Sequence, residues 1–324
     1  MPPSLKARVF FSLKITYKNF PSFYVVMRRS IDVIYLGIAT ATAIVIAIAA
    51  AIVLALSIES SGVLAREGLG FVLSPRWSPS EERYGFYGVA LPLVGTLAVG
   101  VQATAIAVAL SVAAVVYLHE YAPRRVREAI GIAMFAMAAL PTVVFGMWGL
   151  STVAPLVREA GLGSLCARGS PTGQSVFTAA LVVGLMLTPY ASSVVSAAYD
   201  AVPFTYVEAL HSLGAMGFER ARVLLGMVKR SIAAAALLSF GRAVGETTIV
   251  ALTIGSAFNL PLCPFEPAHT VSSLIASQYG NAFLYPGLTS ALSAAALLLL
   301  AASAATTALG ARIARAAVAR GGEA

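Results

Sequence analysis

The sequence predicts an all-α integral membrane protein with six spans, and three observations carry that expectation. Only 11% of the 324 residues are charged and 59% are hydrophobic, with a mean hydropathy of +0.85; an ordinary soluble domain is about a quarter charged. The apolar residues form six long runs, at 33–57, 89–118, 129–150, 176–199, 232–256 and 287–309. Each meets the requirement of about 20 mostly apolar residues for a bilayer-crossing helix. The Lys and Arg residues alternate between the connecting segments, sixteen on one side against five on the other. Such a bias places the richer side, and with it both termini, in the cytoplasm.

Taken in order, the chain opens with a basic leader, 1–32, in which Lys6, Arg8, Lys14, Lys18, Arg28 and Arg29 alternate with Phe10, Phe11, Phe20, Phe23 and Tyr24. A segment of this kind either lies along the anionic inner leaflet or is a solvated tail that enforces topology. The first run is too long and too far from the start for a signal peptide. The 33–310 region then reads as one membrane domain, rich in Ala, Gly and Ser, as expected where helix backbones approach closely in lipid. A short cytoplasmic tail, 311–324, follows. Pro92, Pro141 and Pro189 lie in or beside apolar runs and should kink them. Trp148 suits an interfacial anchor.

Enzyme readings lack their parts. His119-Glu120 has no second histidine four residues on, Gly169–Gly173 has no following Gly-Lys-Ser/Thr, and no Gly-x-Ser-x-Gly is present. Two cysteines and three histidines are too few for a zinc scaffold. The net charge of +8 is spread between spans and sets topology, with no nucleic-acid face. The chain is therefore expected to move something with energy from elsewhere.

The 200–231 segment suggests the source. Glu208 to Leu213 is good helix, Gly214 permits a turn, and a second helical stretch begins by Phe218. Glu208-Ala209 with Gly214-Ala215 in the penultimate cytoplasmic loop resembles the EAA loop of ABC-importer permeases. Leu224 matches a later hydrophobic position, while Leu210 and Gly226-Met227 depart from the pattern. The resemblance extends over about 70–310 and becomes specific for phosphate-transporter permeases of the PstC type. It rests on Leu91–Leu97, Tyr117–Pro123, Leu140–Leu150, Gly241–Thr247 and Gln278–Ala282; the PstA type shares some of these.

The resemblance implies the type I ABC-importer permease fold and ATP-driven phosphate import. Partners would be a homologous PstA-like permease, a dimer of PstB-like ATP-binding subunits and an extracellular PstS-like phosphate-binding protein. ATP and Mg²⁺ would be used by the ATPase, with no cofactor on this chain. Glu208, Ala209, Gly214 and Ala215 would couple to the ATPase. A permease for molybdate, tungstate or sulfate, or an ion-gradient-driven transporter, remains as an alternative.

Three further readings concern individual side chains. Arg242 and Glu246 are the only charges at bilayer depth, and their four-residue spacing sets them on one helical face as a pair, either a self-neutralised ion pair or part of the translocation pathway. Gly241 and Gly245 would let a neighbouring helix come close. Cys166 and Cys263 both fall on the outer side, as a disulfide between loops or as two unrelated thiols. His119 and Glu120, at the inner end of span two, are either a solvated helix end or a corner set against the ATPase or the EAA-like loop.

Overall fold

A computed structural model describes residues 21–80 and 85–321. The leader up to residue 20, Arg83 and the last three residues of the tail lie outside the described part. The chain divides into two compact units, 1–55 and 56–324. Helix α1 spans Pro21–Glu67, far more than the expected 33–57. No proline follows Pro21 in it, so nothing halts the helix until Gly68, whose φ is +54°. In the first unit, Ile44, Val45, Ile46 and Ile48 are all exposed, as befits a helix whose surroundings are lipid.

The second unit begins with the end of α1, a single turn α2 (Gly70–Leu73) and a two-residue hairpin, β1 (Trp77–Ser78) against β2 (Phe86–Tyr87). Helix α3 (Ala90–Val116) runs on through a π-helical turn, Tyr117–Tyr121. The third run departs most from expectation. It is a bent pair, α4 (Arg124–Ala139) and the Thr142–Glu159 stretch, which turn by 98°. The second arm holds α5 (Thr142–Trp148), a π turn and α6 (Ala154–Glu159). The cause is local: Pro141 disfavours helical backbone at Leu140, and the two residues adopt ψ of 135° and 140°.

Helix α7 (Val176–Asp200) starts at Ser175, whose hydroxyl accepts from the Thr178 N–H. It leads to the short α8 (Phe204–Ser212) and then α9 (Gly217–Val244). Here the structure corrects the expected fifth span, 232–256. The helix starts at Gly217, because five charged residues between 219 and 230 interrupt the apolar run without interrupting the helix. It stops at Gly245, and a separate turn, α10 (Thr248–Thr253), follows. Helix α11 (Val271–Gln278) and α12 (Leu288–Gly321) complete the chain, α12 reaching well into the expected tail. Among the described residues, five helices are long and apolar enough to cross a membrane, or up to six if the bent pair is one span.

The packing is built on small residues. Ala103 and Ala107 of α3 lie buried against Ala179, Ala180 and Val183 of α7. On α9, a Cβ added to Gly241 would come 2.6 Å from the Thr307 hydroxyl of α12, and Ser303 donates to the Gly241 carbonyl at 2.8 Å. The helix that Gly241 admits is therefore α12 of the same chain. In lipid, where burial of apolar surface gives little drive, such close contact and hydrogen bonding hold helices together.

Candidate functional site

A cavity of about 480 Å³ opens among α3, α4, α7 and α9. Met134, Phe135 and Met186 form apolar wall, while Tyr190, Ser192 and Arg242 bring the polar groups. Pro189, also in the lining, removes a backbone N–H from α7 just before Tyr190. The Arg242 guanidinium lies 5.7 Å from the centre of the Tyr190 ring, within cation–π range. Ser192 is 5% exposed and its hydroxyl has no hydrogen-bond partner. A buried hydroxyl left in that state has donor and acceptor capacity to offer a visitor.

Arg242 and Glu246 are not the pair that their spacing suggests. Gly245 ends α9, so the two side chains no longer share a helical face. Glu246 instead caps α10: its Oε1 accepts from the Ile249 N–H at 3.4 Å, and its carbonyl accepts from the Ser272 hydroxyl at 2.8 Å. A carboxylate is favoured there by the helix dipole. Among the described residues, no carboxylate forms an ion pair with Arg242. It stands exposed on α9, facing the cavity. The arrangement is one guanidinium over an aromatic ring in a mostly apolar cavity that serine hydroxyls also line, which can receive an anion with charge-assisted hydrogen bonds.

The EAA-like segment folds as α8, a tight turn and the start of α9. Gly214 has φ +73°; the Gly214 N–H donates to His211 O and the Ala215 N–H to Leu210 O. These bonds close the end of α8 over Ala209, whose carbonyl accepts from Leu213. Glu219 accepts from the Met216 N–H at 2.9 Å and fixes the start of α9. Glu208 is exposed, as are Phe204, Tyr206, Leu213, Met216 and Phe218. The opposite side of α8, with Val207 and Leu210, packs on a core that contains Val115, Tyr199 and Leu224.

The corner at His119-Glu120 meets this segment. The Glu120 side chain is 7% exposed and forms a 2.8 Å ion pair with the Arg220 side chain, 19% exposed, at the start of α9. Tyr199 donates to the other carboxylate oxygen at 2.6 Å. His119 lies 3.0 Å from Asp200 and 2.8 Å from the Val115 carbonyl. Of the two readings for this corner, contact with the EAA-like loop is the one the structure shows. Arg220 itself is a functional candidate that the sequence hid: it is 100 residues from Glu120 and carries no motif of its own.

Cys166 and Cys263 are joined as a disulfide, their Cα atoms 5.9 Å apart across 97 residues. Three backbone hydrogen bonds run beside it, Ser170 N–H to Phe265 O, Val176 N–H to Glu266 O and Phe177 N–H to Pro264 O. Closing a loop of this size stabilises by about 4–5 kcal/mol in the chain-entropy account. Alkylation mass spectrometry of freshly purified, unreduced protein is expected to find no free thiol, and reduction should lower the melting temperature without unfolding the chain. Two alkylated thiols before reduction would contradict the bond.

Similarity to known proteins agrees with this architecture. Residues 105–318 match the family described as binding-protein-dependent transport system inner membrane component. The chain belongs to that family, the permease subunits of ABC importers, and is accordingly a multi-pass plasma-membrane protein that is not itself an enzyme. Within it, the chain is 35% identical to the probable phosphate transport system permease protein PstC of Methanocaldococcus jannaschii, over 72% of this chain and 78% of that one. The phosphate transport system permease protein PstC of Pasteurella multocida is 34% identical, over 66% and 70%. That of Haemophilus influenzae is also 34% identical, over 70% and 75%.

Proposed function

We propose that this chain is a PstC-like permease subunit of an ATP-driven importer of inorganic phosphate, and that the Arg242 cavity is a station on the anion's path. The observation that carries the reading is Arg242 itself. A charge at the centre of a bilayer costs about 2.5–3.5 kcal/mol even on insertion scales. A guanidinium in a membrane-spanning helix, over the Tyr190 ring and in a cavity that an unpartnered Ser192 hydroxyl also lines, with no carboxylate ion-paired to it among the described residues, calls for an anion as its transient partner. Phosphate suits the set, because its P–OH can donate where sulfate only accepts, and serine and tyrosine hydroxyls serve both roles.

On this reading the α8 turn is cytoplasmic and presents Phe204, Leu213, Met216 and Phe218 to a groove on an ATP-binding subunit. ATP and Mg²⁺ belong to that subunit. A homologous PstA-like permease completes the pathway, and a PstS-like protein delivers phosphate on the side of the Cys166–Cys263 bridge. Both termini are then cytoplasmic. Competition tests the choice of anion: uptake of labelled phosphate by cells dependent on this system should persist in a large excess of sulfate, molybdate or tungstate. Equal competition by any of these would contradict selectivity for phosphate and leave a permease for oxyanions in general.

A further inference from the structure

The polar cluster around Arg220 is not used by the anion path, yet it ties together the ends of four helices, α3, α7, α8 and α9. Glu120 closes the π-helical end of α3, Tyr199 lies in the last turn of α7, Arg220 opens α9 and His211 belongs to α8. Arg220 Nε and Nη2 donate to Glu120 Oε2 at 2.9 and 2.8 Å. Its Nη1 donates to His211 Nε2. His211 Nδ1 lies 2.7 Å from the Val207 carbonyl. A carbonyl can only accept, so the ring proton sits on Nδ1 and Nε2 is free to accept from Arg220.

We propose that Glu120, Arg220 and His211 form a strut through which movement of α8 is delivered to α3 and α7, making Arg220 a positioning residue for transport. The proposal rests on the reading of α8 as the element that docks on the ATPase. Two features make the strut stiff. The Glu120–Arg220 pair is largely buried, and parting such a pair strands a charge in a medium that solvates it poorly. Tyr199 holds the second oxygen of the same carboxylate, so α3 and α7 cannot answer Arg220 separately.

The load arrives where transport needs it. Val115 and Leu118, within five residues of Glu120, line the Arg242 cavity, and so do Ser193 and Ser196, within six residues of Tyr199. A pull on α8 therefore reaches two walls of the cavity through one guanidinium. The π turn at Tyr117–Tyr121 is a place where a helix can change register locally. Coupling between sites requires an element with two arrangements that one end can bias, and on this proposal the π turn is that element.

The test uses the whole complex, permeases with ATPase and binding protein, in liposomes, with phosphate import and ATP hydrolysis read separately. Arg220→Gln should leave co-purification and ATP hydrolysis in place and lower phosphate moved per ATP by about tenfold, within the range typical of coupling free energies. Arg220→Lys, which keeps a charge for Glu120 but not the fork that also reaches His211, should fall between. Glu120→Gln should match Arg220→Gln. A wild-type ratio in Arg220→Gln overturns the strut, as does a Lys variant no better than Gln, or loss of assembly in both Arg220 variants. Where the wild-type complex moves another oxyanion, the phosphate reading fails, and the ratio measured with that anion still decides the strut.

Discussion

Replacing Arg242 by Gln is expected to reduce anion import by about ten- to a hundredfold, from the roughly 1.5–3 kcal/mol carried by hydrogen bonds to a charged group. The protein should still insert and still assemble. This separation follows from the structure. Arg242 is exposed on α9, faces the cavity and forms no ion pair with a carboxylate among the described residues, so its loss strands no buried charge. The neighbouring contact that holds α9 to α12 runs through the Gly241 carbonyl and Ser303, not through the guanidinium. Arg242→Lys should recover part of the activity, as a point charge without the fork. Normal import by Arg242→Gln would remove the cavity from the path.

The second large effect is expected at Gly214. Its φ of +73° is accessible to glycine at no cost, whereas a β-branched residue held there is strained by about 1–3 kcal/mol. A side chain at Gly214 would meet no neighbouring atom, so the penalty is one of backbone and not of crowding. Gly214→Val should open the turn, break the bonds to His211 and Leu210, and re-aim α8. Import should fall by about tenfold or more while ATP hydrolysis continues, the signature of lost coupling. Gly214→Asn, which tolerates the left-handed region, should be mild. Co-purification together with the import-to-hydrolysis ratio reads the result, and normal import by the valine variant would dismiss the turn.

What could be read from the sequence followed from periodic or compositional signals. Long uncharged runs and a positive-charge bias are summed over many residues, so the helical membrane architecture was legible. Helix ends were less so. The 129–150 run hid a right-angle corner, because Leu140-Pro141 is apolar and does not interrupt a hydropathy count. The 232–256 run crossed a real break at Gly245, and it missed the charged first half of α9, where Glu219, Arg220 and Arg222 belong to a helix that leaves the apolar zone. The same break undid the pairing of Arg242 with Glu246: i,i+4 geometry holds only while the helix lasts. Glu120 and Arg220 are invisible as a pair in the sequence because contact across 100 residues leaves no local trace, although Glu120 stands out beside His119 at the inner end of span two.

The central claim, that this permease conducts phosphate on energy from a partner ATPase, is tested most directly by filling liposomes that carry the purified complex with ATP and Mg²⁺ and supplying binding protein and labelled phosphate on the opposite side, with no ion gradient. The account predicts phosphate accumulation that requires ATP and is lost in Arg242→Gln. Accumulation driven by a proton or sodium gradient in the absence of ATP and the ATPase would contradict it.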